Sequence, residues 1–362
     1  MSATSQSLRA LYSPFHFQWH EGSPTSGTDL PSKVSASGRQ SISSLGSTAT
    51  SDAEIEDYDV AFNLEDEKDN LRCILQSFVT SITGTEANFQ SPDTTTLEAA
   101  CVEEMARIGM DLALVQKWFR WACQVANCFY PDHPLDLRVL IVLCNLAIFY
   151  IDDVLVTNSS LLYSFQYQLL TQQPQQDPIL RCLAAELIPR TWRYFDPAAA
   201  NAIAVGFYEF IIGTSTENEL RDVKLSPSAP NFPGFVRLKS GAPAQYAHWL
   251  FYSPTRQNPH DYIQAIPDFL IIINHVNDIL SFYKEELAGE RDNLVYMRAR
   301  TSSKSVLDTL AALCTETEER IKRICETLAP TPETQSVFTA FMVRYIRFHT
   351  STTRYRLREL LG

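Results

Sequence analysis

The sequence has no excess of basic residues, no cysteines in CxxC spacing, no apolar run of membrane-spanning length and no sustained alternation of apolar with polar residues. Each absence removes a class of protein. With 30 Lys and Arg against 42 Asp and Glu, the formal charge is −12. That field repels phosphate backbones, so nucleic acid is excluded as a general partner, and an anionic ligand requires a locally cationic site. The eight cysteines, Cys73, Cys101, Cys123, Cys128, Cys144, Cys182, Cys314 and Cys325, mostly stand in apolar, helix-like surroundings. They read as reduced core side chains rather than disulfides or a zinc site. The longest apolar run, Val139 to Ile151, has 13 residues and includes Asn145; a bilayer needs about 20. The N-terminus has no apolar stretch after a charged start, so no signal peptide is expected. These features predict a soluble, cytoplasmic protein with no transmembrane segment. No repeat of fixed period is present.

What the sequence has in quantity is apolar material, 45% of 362 residues, enough for one large domain. Residues 1–60 are predicted to be a Ser/Thr-rich disordered tail, with 18 Ser or Thr and only three Lys or Arg in the first 50. From residue 67 to residue 362 the pattern changes. Leu97, Ala100, Cys101, Met105, Ile108 and Leu112 recur at spacings of three and four, the period of a helix. Similar segments follow around 112–128, 136–156, 177–190, 196–214, 241–253, 260–288, 303–328 and 333–360. Pro131, Pro134, Pro174, Pro178 and the stretch 226–233 separate them. The predicted fold class is all-α, in a single domain.

The segment from Leu135 to Val156 is apolar around its whole circumference and delivers Asp152 and Asp153 near its C-terminal end. Carboxylates there face the negative end of the helix dipole, at a cost of roughly 0.3–1 kcal/mol each. A divalent cation would compensate, and carboxylate oxygens suit magnesium. Two acids that end a core helix and bond to the next turn would explain the pair as well.

The segment IIINHVNDILSFYKEELAGERDNL places Asn277, Ser281 and Glu285 at successive steps of four. Each step drifts only about 40°, so the three share one side of a helix. An amide oxygen, a hydroxyl and a carboxylate form an all-oxygen face suited to magnesium. Leu270 to Ile273 and Val276 lead into it, and Lys284 is placed to reach an anion. The plainer alternative is a solvated helix face with an incidental glutamate.

NDILSFYKE, followed by GERDNLV, is similar to the NDxxSxxxE motif of class I terpene cyclases, and resembles the trichodiene synthase branch of fungal enzymes. The resemblance implies a class I terpenoid synthase helical bundle around an apolar active-site cavity. It implies three magnesium ions, with manganese as a substitute, held by Asp152 and by Asn277, Ser281 and Glu285. The family's DDxxD or DDxxE motif is degenerate here: the sequence is DDVLV, with Val156 in the last acidic position. That leaves Asp153 as a salt-bridge or supporting residue. The family's diphosphate sensor corresponds to Arg237, 40 positions before Asn277 (277 minus 237). Its C-terminal Arg-Tyr pair corresponds to Arg354 and Tyr355, preferred over Arg344 and Tyr345 ten residues earlier on what reads as the same helix. With Lys284 these side chains would take the diphosphate. Phe149, Phe207, Tyr246 and Trp249 are candidates to face the carbocation, since aromatic faces stabilise a cation without offering a nucleophile. The resemblance implies a sesquiterpene cyclase acting on farnesyl diphosphate. A prenyl diphosphate synthase and a non-catalytic homologue stand as alternatives, and a homodimer is left open.

Overall fold

The computed structural model describes residues 62–85, 93–220, 223–252 and 258–362; the predicted tail over residues 1–60 lies outside them. Sixteen α-helices joined by short 3-10 and π turns, and no strand, occur among the described residues. Helices α1 (Leu64–Thr83), α2 (Thr95–Ile108), α3 (Leu112–Phe129), α4 (Leu135–Asp153) and α5 (Ser159–Leu170) come first. The short α6 (Pro178–Cys182) and α7 (Ile188–Arg190) lead to α8 (Pro197–Leu220). Next are α9 (Phe232–Ser240), α10 (Pro243–Leu250) and α11 (Pro259–Tyr262). The last five are α12 (Ile266–Ala288), α13 (Leu294–Ser302), α14 (Val306–Leu328), α15 (Pro332–Ser351) and α16 (Leu357–Leu361).

The two innermost helices carry the longest buried runs. In α4 every residue from Val139 to Ile148 is buried, with α2 and α3 packed against it. In α12 the buried positions run from Ile272 to Val276 and from Asp278 to Tyr283, against α10, α14 and α15. Asn145, fully buried in the middle of α4, bonds the Ile141 carbonyl (2.8 Å) and accepts from the Tyr246 hydroxyl, so its amide is satisfied. Asp177 starts α6 by accepting from the Ile179 and Leu180 amides at 2.8 and 2.9 Å, with Pro178 at the first helical position. Tyr150, near the end of α4, donates to the other Asp177 oxygen at 3.0 Å. That bond pins the end of α4 where Asp152 sits.

Two glycines set how closely the elements around α9 approach. A Cβ at Gly213 in α8 would run into the backbone of Lys239 and Ser240, and one at Gly241 would collide with the Asn274 carboxamide and the Arg237 guanidinium. The second glycine ends α9. Ala242 then takes a left-handed conformation (φ 52°) before Pro243 opens α10.

Several expectations need correction. By length and composition, Leu135–Thr157, Pro197–Leu220 and Pro259–Ala288 are each long and apolar enough to cross a membrane, although 72, 61 and 72% of their windows are buried inside the fold. Their apolarity is that of a core. Residues 226–233 end in a helix, because α9 begins at Phe232. α15 stops at Ser351; Thr352 is extended, Thr353–Tyr355 form one 3-10 turn, and Arg356 is left-handed at φ 57°. Arg344 and Arg354 are therefore not on one helix. α5 and α13 were not anticipated as helices, and the first helix begins three residues before Glu67. All eight cysteines are free, with Cys101, Cys123, Cys144, Cys182 and Cys314 buried.

Candidate active site

A cavity of about 690 Å³ opens between α4, α8, α9, α12 and the C-terminal turn. Its mouth is polar and its depth aromatic. Asp152, Arg237, Asn277, Ser281, Lys284, Glu285, Arg354 and Tyr355, eight residues singled out in the sequence, all line it.

Asp152 is open to the cavity while protein surrounds its other sides. Those low-dielectric surroundings raise its carboxyl above the ordinary value, and the Asp153 charge adds to the rise; Arg354, Arg237 and Lys284 pull it back. Asp153 turns away: its Oδ2 accepts from Trp118 Nε1 at 2.7 Å and from Lys117 Nζ at 3.1 Å. Val156 is not on the α4 helix at all, since α4 ends at Asp153, yet from the next turn it still lines the mouth.

On α12, Ser281 is 1% exposed and its hydroxyl has no hydrogen-bond partner. An orphaned buried hydroxyl costs about 1–3 kcal/mol, so its persistence at a cavity wall points to a ligand. Glu285, one turn on, accepts from Lys284 Nζ (3.2 Å) and Asn293 Nδ2 (3.0 Å). Asn277, one turn back, accepts at Oδ1 from Arg237 Nη2 at 3.1 Å. Its Nδ2 lies 3.3 Å from His349 Nε2 and 3.4 Å from the Tyr355 hydroxyl. Among the described residues, no three His, Cys, Asp or Glu converge on a metal position. The donor set is instead mixed, one carboxylate with two neutral oxygens. It fits magnesium, which keeps several waters and asks for few protein charges.

Arg237 is held by Asp278, whose two oxygens lie 2.8 and 3.0 Å from its Nε. Burial raises Asp278 to about 6, against the pull of Arg237. Burial alone would lower Arg237, but the Asp278 charge and hydrogen bond more than offset it, and the guanidinium stays protonated. Arg354 lies over the rings of Trp121 (5.1 Å) and Phe149 (5.7 Å). Arg344 pairs with Asp132 at 3.0 Å, while its neighbour Tyr345 lines the cavity.

Deeper, Phe129, Phe149, Phe210, Tyr246, Tyr345 and Phe348 form the wall with Ile148 and Ile273. Tyr246 donates to Asn145, and Tyr345 donates to the Ile273 carbonyl at 3.0 Å, so both phenols turn their hydroxyl hydrogens into the protein. Phe149 and Tyr246 are thus on the cavity wall. Phe207 and Trp249 are not: both are fully buried with rings 6.5 Å apart and absent from the cavity wall. Reading the sequence missed Phe129, Phe210, Phe348, Asp278, Glu217 and His349. The only local sign for Asp278 was its place beside Asn277 in the motif. Glu217 lines the mouth from α8 and accepts from the Ser240 hydroxyl. Its carboxyl is raised, chiefly by burial. His349, 1% exposed, is pushed down to about 4 by burial.

Helix order, cavity and donor set define an all-helical class I terpene synthase. Solved structures share the fold: linalool/nerolidol synthase from Streptomyces clavuligerus (TM-score 0.55, 14% identity, covering 73% of this chain and all of that one). Hedycaryol synthase in complex with nerolidol is similar at TM-score 0.54 and 16% identity, covering 74% and 98%. Residues 113–362 match the family described as trichodiene synthase, and the chain belongs to that family. Terpene synthase BipA of Cochliobolus sativus is 31% identical over 273 residues, 74% of this chain and 83% of the relative. Alpha-cuprenene synthase COP6 of Coprinopsis cinerea is 32% identical over 230 residues, 63% and 70% of the two chains. Monoterpene synthase 25 of Postia placenta is 32% identical over 227 residues, 63% and 68%.

Proposed function

We propose that this terpene synthase is a magnesium-dependent sesquiterpene cyclase that ionises farnesyl diphosphate and closes the carbocation into a ring. The carrying observation is the orphaned Ser281 hydroxyl between Asn277 and Glu285, at the polar mouth of an aromatic cavity. Asn277, Ser281 and Glu285 would hold one ion and Asp152 would anchor the others across the mouth. Bound there, divalent cations supply Lewis-acid charge to the departing diphosphate, and manganese would substitute.

Arg237, Lys284, Arg354 and Tyr355 donate hydrogen bonds to the diphosphate and hold it at the mouth. The aromatic wall excludes water and faces the cation with π-clouds worth about 0.5–2 kcal/mol each. The reading takes the synthase as a single domain that works in the cytoplasm. A homodimer is compatible with this reading.

The test is incubation with farnesyl diphosphate and magnesium, followed by gas chromatography of the volatiles and assay of released diphosphate. A cyclic fifteen-carbon product supports the reading. Turnover only with geranyl diphosphate would make it a monoterpene synthase, a requirement for isopentenyl diphosphate would make it a prenyl diphosphate synthase, and no diphosphate release would leave a non-catalytic homologue.

A further inference from the structure

His349 contacts two groups that fix its ring. Its Nδ1 is 2.8 Å from the Tyr345 carbonyl oxygen, one turn earlier on α15. A carbonyl oxygen can only accept, so Nδ1 carries the proton and Nε2 presents a lone pair. That lone pair faces Asn277 Nδ2 at 3.3 Å.

The opposite edge of the same carboxamide is constrained independently. Arg237 Nη2 lies 3.1 Å from Asn277 Oδ1, and a guanidinium has no acceptor, so the oxygen must be the atom on that side. Both neighbours impose one orientation: nitrogen toward α15, oxygen toward Arg237. A flipped amide would set its NH₂ against the guanidinium and its oxygen against the imidazole lone pair, two repulsive contacts in place of two hydrogen bonds.

We propose that His349 is a positioning residue that locks the Asn277 carboxamide with its oxygen as the metal-facing atom. The proposal rests on the reading of Asn277 as a metal ligand given above. It deepens that reading by assigning the ligand's orientation to a residue on another helix. Partners that orient a ligand in this way are worth about 10–100-fold in metal affinity.

Two substitutions separate the two ring nitrogens. In His349→Gln the side-chain oxygen reaches the place of Nε2 and retains an acceptor for Asn277. In His349→Asn the amide reaches only the place of Nδ1 and leaves Asn277 Nδ2 with only the longer contact to the Tyr355 hydroxyl, at 3.4 Å. Mn²⁺ binding is measured by electron paramagnetic resonance in the presence of inorganic diphosphate, with the melting temperature of each metal-free protein alongside. The expected result is a loss of about 10–100-fold in Mn²⁺ affinity for His349→Asn and less than about 3-fold for His349→Gln. In an Asn277→Ala background, His349→Asn should cause no further loss.

Wild-type affinity in His349→Asn overturns the proposal. So do equal losses in both variants, which would mark a packing role, and an additive loss in the Asn277→Ala background. If Asn277→Ala and Glu285→Ala themselves leave Mn²⁺ affinity unchanged, the metal assignment fails and the proposal falls with it. If they weaken binding while His349→Asn does not, only the positioning role fails.

Discussion

Arg237 and Asp278 face each other across α9 and α12, with both carboxylate oxygens within 3.0 Å of the guanidinium Nε. The arginine side chain is 20% exposed and the aspartate 6%. The cation placed for a diphosphate is thus oriented by an acid next to Asn277 on the metal-facing helix, and neither charge can leave the pair cheaply.

Arg237→Ala strands the Asp278 carboxylate and should destabilise the metal-free protein by about 3–5 kcal/mol. Arg237→Ala with Asp278→Asn should recover part of that loss without recovering turnover. Urea denaturation of the four proteins in the cycle checks it. A loss in the double variant equal to the sum of the two single losses would show that the pair is not coupled.

Asp152 and Asp153 should respond unequally. Asp152→Asn removes the mouth carboxylate and should abolish most diphosphate release. Asp153→Asn keeps an oxygen for Trp118 and loses an ion pair whose lysine is 65% exposed, a matter of about 0–1 kcal/mol. Val156→Asp should bring no gain, because an acid added near Asp152 adds repulsion. Diphosphate release across a magnesium titration decides. Greater damage from Asp153→Asn, or a several-fold lower magnesium requirement in Val156→Asp, would contradict this assignment.

The two metal-helix changes should differ in the size of their effect on magnesium. Ser281→Ala removes an unpartnered buried hydroxyl, so the metal-free protein should melt no lower, and up to about 1–3 kcal/mol more stable, while needing more magnesium. Glu285→Ala removes the trio's only formal charge and should raise the magnesium requirement further. Calorimetry without metal and kinetics with it read the two effects. A clearly lower melting temperature for Ser281→Ala would mean that its hydroxyl is satisfied.

Acid sensitivity should trace to buried histidines. His275, against Thr317, has its pKa lowered from 6.5 to about 3, by burial first and then by Arg298 and Arg320. The unfolded chain therefore takes up the proton first. The stability this group contributes is complete above 6.5 and is lost as pH falls from there toward 3. His275→Gln should flatten the decline of melting temperature between pH 6.5 and 4. His248 and His349, each near 4, should keep some slope. Superimposable profiles for wild type and variant would refute the assignment.

α4 was legible because a helix apolar on all sides has one place to go, the centre, and Asp152 near its end then faces a cavity. The trio at steps of four was legible from helix geometry alone. α9 was hidden because the chain enters it through PNFPG, a composition that signals a loop, although Pro233 stands where a helix's first turn tolerates it. The break before Arg354 was hidden because neither glycine nor proline marks it; Arg356 takes the left-handed conformation that sequence reading reserves for glycine. Phe207 and Phe210 share α8, and which of them meets the cavity depends on how α8 is rotated against α10, a fact with no local signature.

The stacking of Arg354 on Trp121 has an optical consequence. The sequence has five tryptophans; Trp121 lies under the guanidinium of a cavity-lining residue, and Trp118 donates to the carboxylate adjoining Asp152. Indole emission responds to nearby charge and to hydrogen bonding. The protein therefore carries two native chromophores in contact with Arg354 and Asp153, and a change in intrinsic fluorescence reports a shift of Arg354 or of the α4 terminus with no label attached.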